Sequence, residues 1–350
     1  MGKKEDNIIA FQGEFGANGD LACRAVRDDM QTLPCHTFQD TFAAVHKGQA
    51  KCLLIPIDNT VAGRVADIHH LLPDSGLHII GEHFQRVEHH LLAVKGAKLK
   101  DLTHVHSHVH ALNQCRNAIR EYDLDPMVHV DTAAAAREIS ERGELAHAAI
   151  ASELAGKIYN LDSLRANIED ADHNTTRFLL MARDPLNISP DGKDLITSFV
   201  FRVRNVPAAL YKALGGFATN GVNMLKLESY LVGGGFVAAQ FYAEVEGHPE
   251  QHDVSLAMEE LSFFTNEVRF LGVYPRNPAR DIINKNIGVE IQNNLMKNKN
   301  NVLLLENLRF DDGEVNNNDK FAKDLSMPFD TFILDAFGAA HREHASIVSI

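Results

Sequence analysis

The chain has 350 residues, 45% of them hydrophobic and 23% charged, with a formal net charge of −13; this excludes fibrous and wholly disordered classes and allows two or three domains with real cores. With no run of five basic residues, the footprint that a nucleic-acid backbone requires is missing, and no stretch of about eighteen apolar residues suggests a membrane span. Four cysteines, Cys23, Cys35, Cys52 and Cys115, form no CxxC and fit reduced, buried thiols. The charged first seven residues lead into a strand rather than an apolar leader, so a cytoplasmic protein is expected.

Short apolar runs at 8–11, 52–57, 102–106, 127–130 and 146–150 read as strands, and 20–29, 41–47, 111–122 and 132–142 as the helices between them. This alternation predicts a mostly parallel sheet covered by helices on both faces, with ligands at the carboxyl ends of the strands. Gly13, Gly16 and Gly19 follow the first strand; they form either an anion-binding turn at a helix N-terminus or simply a tight turn, since neither a P-loop lysine nor a GxGxxG spacing is present. Asp58, Asn59 and Thr60 close the second of these runs. Ser107 reads as a helix cap, which places Gln114 two turns away on nearly the same helical face. His104, His106, His108 and His110 alternate, but a cap at Ser107 would break that alternation, and no metal site is expected. The region ends in Asn174, Thr175, Thr176, Arg177 and Phe178, where a threonine hydroxyl beside a guanidinium suits loss of hydroxide from a dicarboxylate without metal or cofactor.

A linker rich in Pro, Gly, Ser and Asp spans 183–194. Beyond it, 195–203, 207–220, 223–231, 236–246, 250–264 and 267–273 read as β-α-β-β-α-β, with the central hairpin around Gly233, Gly234 and Gly235. Twelve asparagines between Asn277 and Asn318 then favour loops, interrupted by apolar segments at 302–305 and 331–334.

The Gly13-to-Gly16 turn, the Pro56-to-Thr60 segment, the segment from Ser107 to Cys115 and the Asn174-to-Phe178 pentapeptide together resemble, in order and spacing, prephenate dehydratase. The unit after the linker resembles the ACT regulatory domain that usually follows it. The resemblance covers about 7–276 and implies an α/β fold of two periplasmic-binding-protein-like lobes (7–185) followed by an α+β ferredoxin-like ACT domain (194–276). It further implies a hydro-lyase that converts prephenate to phenylpyruvate with loss of carbon dioxide and water, in phenylalanine biosynthesis, with no cofactor. By the same resemblance Thr176 donates a proton to the departing hydroxyl and Arg177 orients the substrate. Asn59, Ser107 and Gln114 complete the catalytic set, with Thr175, Phe178, Asp58, Thr60, Gly13 and Gly16 as substrate contacts. Asp58 and Thr60 stand where the family commonly has glutamate and serine.

For the ACT-like unit the resemblance implies an L-phenylalanine effector near Ala208, Ala209, Leu210, Asn223, Glu228 and Ser229, in a homodimer or higher homo-oligomer. Alanine replaces a usual glycine there, Leu225 stands where threonine is common, and Tyr230-Leu231 replaces an arginine-proline pair. The tail, 285–350, is similar to part of the N-terminal domain of phosphoglycerate kinase, on Val302 to Phe310 and Asp335 to Ser346; Arg342 matches an arginine that helps bind 3-phosphoglycerate in that family. The fragment lacks the nucleotide-binding half, so it is expected to be a non-functional, poorly ordered α/β piece without kinase activity. The competing reading of the first region is a two-lobed sensor without catalysis.

Overall fold

The computed structural model describes residues 7–171, 173–204, 206–231 and 238–283, together with Lys320 and Lys323. The chain divides into two compact units, Met1–Asn277 and Pro278–Ile350. In the second, a helical turn at 279–283 and helical positions at Lys320 and Lys323 are described; both kinase-like motifs, Arg342 and the apolar segments at 302–305 and 331–334 lie outside the described residues.

In the first unit the elements run β1 (Ile8–Gln12), α1 (Asn18–Val26), β2 (Gln31–Cys35), α2 (Phe38–His46), β3 (Cys52–Asn59), β4 (Gly63–Arg64), α3 (Ala66–Leu71), β5 (His78–Arg86), β6 (His90–Ala93), β7 (His104–His108), α4 (Val109–Gln114), α5 (Arg116–Glu121), β8 (Asp125–His129), α6 (Thr132–Arg142), β9 (His147–Ala151), α7 (Glu153–Ile158), β10 (Asp162–Arg165) and β11 (Thr175–Ala182). They build two sheets, β2-β1-β3-β11-β5 with β4 beside β3, and β10-β6-β9-β7-β8. These are the two lobes. Each sheet is mixed rather than mostly parallel: β1 pairs in parallel with β2 and β3, whereas β11 runs antiparallel to β3 and β5. In the second sheet β7 is parallel to β8 and β9, and β6 is antiparallel to β9 and β10. In the first sheet the return of the chain through β11 makes this so, because β11 reaches the first lobe only after the second lobe is complete.

Helix α6 begins and ends where the sequence places it. Asp131 caps the amides of Ala133 and Ala134, and Gly143 turns the chain at φ 67°. The single helix expected over 111–122 is two short ones, interrupted at Cys115. Ser107 does not cap a helix either: it lies inside β7, and His108 takes the N-cap position.

The third sheet contains β12 (Leu195–Val203), β13 (Met224–Leu231), β14 (Ala238–Glu246) and β15 (Thr265–Pro275), with α8 (Ala209–Thr219) and α9 (His252–Phe264). Its antiparallel order β13-β14-β12-β15 is that of the ferredoxin-like β-α-β-β-α-β arrangement; the glycine turn between β13 and β14 lies outside the described residues. This sheet shares a hydrophobic core with the first lobe. Ile196, Val200, Tyr242, Leu271 and Tyr274 pack in one cluster with Leu53, Ile55, Ile57 and Ile79. At Gly272 an added Cβ would stand 2.1 Å from the Ile79 carbonyl oxygen, so only glycine allows β15 to approach β5 this closely.

Ala208, where the related segment has glycine, caps α8 at φ 58° and ψ 24°. A left-handed alanine costs about 1–2 kcal/mol, partly offset by the entropy that glycine would lose on folding. Ala208→Gly is expected to stabilise the protein by about 0.5–1 kcal/mol, read as a raised urea midpoint. An unchanged or lowered midpoint would show that this backbone is not strained.

Candidate active site

A cleft of about 610 Å³ opens between the two lobes, within the range of small-molecule sites. The first lobe contributes Gln12, Ala17, Asn18, Asn59, Arg64, Thr176 and Phe178; the second contributes His108, Gln114 and Asp131, and His89 lies between β5 and β6.

Strand pairing decides which residues face it. In the β11–β3 ladder Thr176 lies opposite Asn59 and Arg177 opposite Asp58, and side chains directly opposite each other share a face while neighbours along a strand alternate. Thr176 and Asn59 therefore face the cleft, and Arg177 and Asp58 face the third sheet. A register shift after Arg177 then pairs Phe178 with Pro56, and both line the cleft.

On the cleft side a chain of amides fixes its own orientation. The backbone N–H groups of Val61 and Ala62 donate to Asn59 Oδ1 at 2.9 and 2.7 Å, so the Asn59 amide nitrogen must point the other way. It donates to Asn174 Oδ1 and to Thr176 Oγ1, both at 2.9 Å. Asn174 in turn donates to Gln114 Oε1 at 2.9 Å. His89 Nε2 stands 3.0 Å from that same oxygen, which requires the Nε2–H tautomer, since a bare ring nitrogen there would face an acceptor. Burial lowers the His89 pKa against the pull of the Gln114 hydrogen bond. The consequence lies at Thr176: its oxygen accepts from Asn59, and its own proton is left for a group in the cleft.

On the opposite face Arg177 is buried. Its Nε lies 2.8 Å from Glu82, its Nη2 2.8 Å from Glu244 on β14, and its Nη1 3.6 Å from Asp58; Nη2 also donates to the Tyr274 hydroxyl at 3.3 Å. Burial alone would lower its pKa, but Glu244, Tyr274 and Glu82 more than reverse that and hold it well above the usual value. Asp58 pairs with Lys226 on β13. Arg177 and Asp58 thus join the first lobe to the third sheet and do not line the cleft.

Five more expected contacts lie elsewhere, among them Thr175, which is buried one place before Thr176 on β11 and does not line the cleft. Ser107 is buried and donates to the Ile150 carbonyl at 2.6 Å. Thr60 donates to the His173 carbonyl and accepts from the Thr175 amide, both at 2.9 Å, which locks the start of β11. The glycine turn is a structural turn: Gly16 N–H donates to the buried Asp20 carboxylate at 2.9 Å, and Gly13 N–H to Cys35 O. An added Cβ at Gly16 would meet Ala155 Cα at 2.7 Å. Ala17, Asn18 and Gly19, just beyond that turn, are the residues that reach the cleft.

Sequence reasoning assigned no role to His89, Asn174 or Arg64. The first two are found through hydrogen bonds spanning 25 and 60 residues to Gln114, which no local pattern reveals. Among the described residues no group of three or more His, Cys, Asp or Glu is arranged to hold a metal. His106 instead bonds His147 at 2.9 Å. Burial, then His147, Arg142 and His129, push its pKa from 6.5 down to about 4, against the pull of Glu138. The folded state therefore holds His106 neutral, and its stabilising share is complete above about pH 6.5 and lost as pH falls from there towards 4. Melting temperature is expected to fall from about pH 7 to 5, less steeply in His106→Gln; an identical slope in the variant would remove His106 from the account.

Residues 9–186 match the family model for prephenate dehydratase, and residues 232–350 that for phosphoglycerate kinase; the second match begins before β14, α9 and β15, which complete the third sheet. The chain is 52% identical over 275 residues to the bifunctional N-acyl-homoserine lactone acylase/prephenate dehydratase of Komagataeibacter europaeus, covering 79% of this chain and 98% of that one. It is 35% identical over 286 residues to arogenate dehydratase/prephenate dehydratase 1 of Arabidopsis thaliana, a chloroplastic protein, covering 78% and 73%. Among solved structures, the quorum-quenching acylase GqqA superposes with a TM-score of 0.74 at 52% identity, covering 78% of this chain and 99% of that one. The prephenate dehydratase of Arthrobacter aurescens in complex with L-Phe gives 0.70 at 27% identity, covering 83% and 100%.

Proposed function

The chain belongs to the prephenate dehydratase family, a family of hydro-lyases, and from that premise we propose that it converts prephenate to phenylpyruvate in the cleft between its lobes, with Thr176 as the proton donor. The observation that carries this reading is the Asn59–Thr176 pair, in which the threonine oxygen accepts from Asn59 and the residue lines the cleft, leaving its hydroxyl free to donate there.

Prephenate loses its ring carboxylate as carbon dioxide and its ring hydroxyl as water, and the electron pair of the breaking C–C bond completes the aromatic ring. The driving force is in the substrate. What remains for the protein is to hold one conformation and to protonate the leaving hydroxyl. Asn59, held by the Val61 and Ala62 amides, fixes the position of Thr176 Oγ1 and makes its proton a better donor by hydrogen-bonding to its oxygen. His89, Gln114 and Asn174 keep Asn59 in register. Apolar Leu54, Val87 and Phe178 line the same cleft and suit the flat ring of the product.

The ACT-like sheet is proposed to bind L-phenylalanine, the ligand held by the solved Arthrobacter aurescens relative, near Ala208, Ala209, Leu210, Asn223, Glu228 and Ser229, in a cytoplasmic homo-oligomer. No helix among the described residues is long and apolar enough to cross a membrane. No kinase activity is assigned to the tail. The relative that is 52% identical bears acylase activity in its name, and this favours a second reading in which acylated homoserine lactones also enter the cleft; release of free fatty acid from an N-acyl-homoserine lactone tests it. For the principal reading, purified protein mixed with prephenate is expected to generate the ultraviolet absorbance of phenylpyruvate enolate in base, and no absorbance above the spontaneous rate would overturn it.

A further inference from the structure

A dicarboxylate entering a protein of net charge −13 needs a local cation, and the one chosen from the sequence, Arg177, is committed on the far side of the sheet to Glu82 and Glu244. Among the described residues lining the cleft, Arg64 alone carries a permanent positive charge. His89 and His108 are held towards the neutral form by burial, and Asp131 adds a carboxyl whose pKa burial raises. Arg64 sits on β4, whose pairing with β3 sets Gly63 opposite Asn59 and Arg64 opposite Asp58. By the pairing rule its Cβ shares the Asp58 face, turned towards the third sheet, yet the residue also lines the cleft, so it stands between the two. Its side chain is 47% exposed, as a group that meets a diffusing ligand should be.

The guanidinium is nevertheless occupied. Nη1 lies 3.3 Å from Glu228 Oε2 and donates at 3.2 Å to the Ser229 carbonyl, both on β13 of the third sheet. Glu228 is a carboxylate, the same chemistry that the substrate offers twice. Lys226 also lies 3.7 Å from Glu228 Oε1, so Glu228 keeps a second cation when Arg64 leaves it. An internal carboxylate with an alternative partner is an exchangeable one.

We propose that Arg64 binds a carboxylate of the substrate in the cleft, and that Glu228 competes for it, so that the position of β13 sets how much of Arg64 the cleft receives. The inference rests on the reading of the cleft as a prephenate site. It gives the effector-facing sheet a direct route to substrate affinity, because Glu228 and Ser229 are also residues expected near the effector. A guanidinium binding the same carboxylate in ground and transition states changes KM and leaves kcat nearly constant.

Steady-state kinetics on the full chain test this. Arg64→Gln is expected to raise KM for prephenate about 10- to 100-fold with kcat within about 3-fold of wild type, and Arg64→Lys to recover part of the loss. Glu228→Gln is expected to lower KM when Arg64 is present and to have no effect in the Arg64→Gln background. An unchanged KM in Arg64→Gln overturns the carboxylate contact, and an equal effect of Glu228→Gln in both backgrounds overturns the competition. The dissociation constant for prephenate, measured by calorimetry in the Thr176→Val background, gives the same comparison without turnover. Wild-type turnover judges the family activity separately from either result.

Discussion

Thr176→Val is expected to lower kcat on prephenate by about 100- to 1,000-fold, the scale of losing one well-placed transition-state donor, while the melting temperature stays close to wild type. Valine keeps the β-branched shape that suits β11, so the strand and its pairing with Asn59 persist. What disappears is the hydroxyl. Asn59 loses one of two acceptors but keeps Asn174, and Thr176 is only partly buried, which limits the folding cost to about 1 kcal/mol. Catalytic and structural effects therefore separate cleanly. Steady-state kinetics beside a thermal melt check the prediction; equal loss of both would mean that Thr176 is a structural residue.

Arg177→Met is expected to act in the opposite way, by destabilising the fold. It leaves the Glu82 and Glu244 carboxylates buried beside each other, Glu244 keeping the Tyr242 hydroxyl at 2.5 Å and Glu82 the Asn277 amide at 3.1 Å. Removing one partner from a buried ionic cluster costs about 3–5 kcal/mol, or roughly 6–20 °C in melting temperature. Neutralising one of the stranded carboxylates should return part of that loss, so Arg177→Met with Glu244→Gln is expected to melt above Arg177→Met alone. If the double variant is no more stable than the single one, the cluster is not held by charge. Loss of kcat in Arg177→Met at full folding would instead return the arginine to the catalytic face.

Adjacent positions in one pentapeptide thus have opposite fates, and the reason was legible in the chain. Residues 175–182 form a strand, and period-two alternation alone sends Thr176 and Arg177 to different faces; read as a single wall of the cleft, the motif hides that. The same alternation separates Asn59 from Asp58. Local pattern also sufficed for α6, with its aspartate cap and terminal glycine, and for the β-α-β-β-α-β order of the third sheet. It failed for β5, whose sequence HIIGEHFQR has no clean alternation because one face meets α1 and the other the third sheet. It failed too for Ser107, where a cap residue type before a helix was in fact the strand's inward hydroxyl, bonded to a carbonyl 43 residues away. His89, Asn174 and Arg64 take their roles from partners distant in sequence, so only the folded arrangement reveals them.

Phenylpyruvate formation by Thr176→Ser and Thr176→Val, measured side by side at saturating prephenate, tests the Thr176 hydroxyl most directly. Serine restores the hydroxyl on the same strand position and is expected to keep kcat within about 10-fold of wild type, with valine lower by a further factor of about 10 or more. If valine turned over prephenate as fast as serine, the proton would come from another group and the Asn59–Thr176 pair would not be the acid.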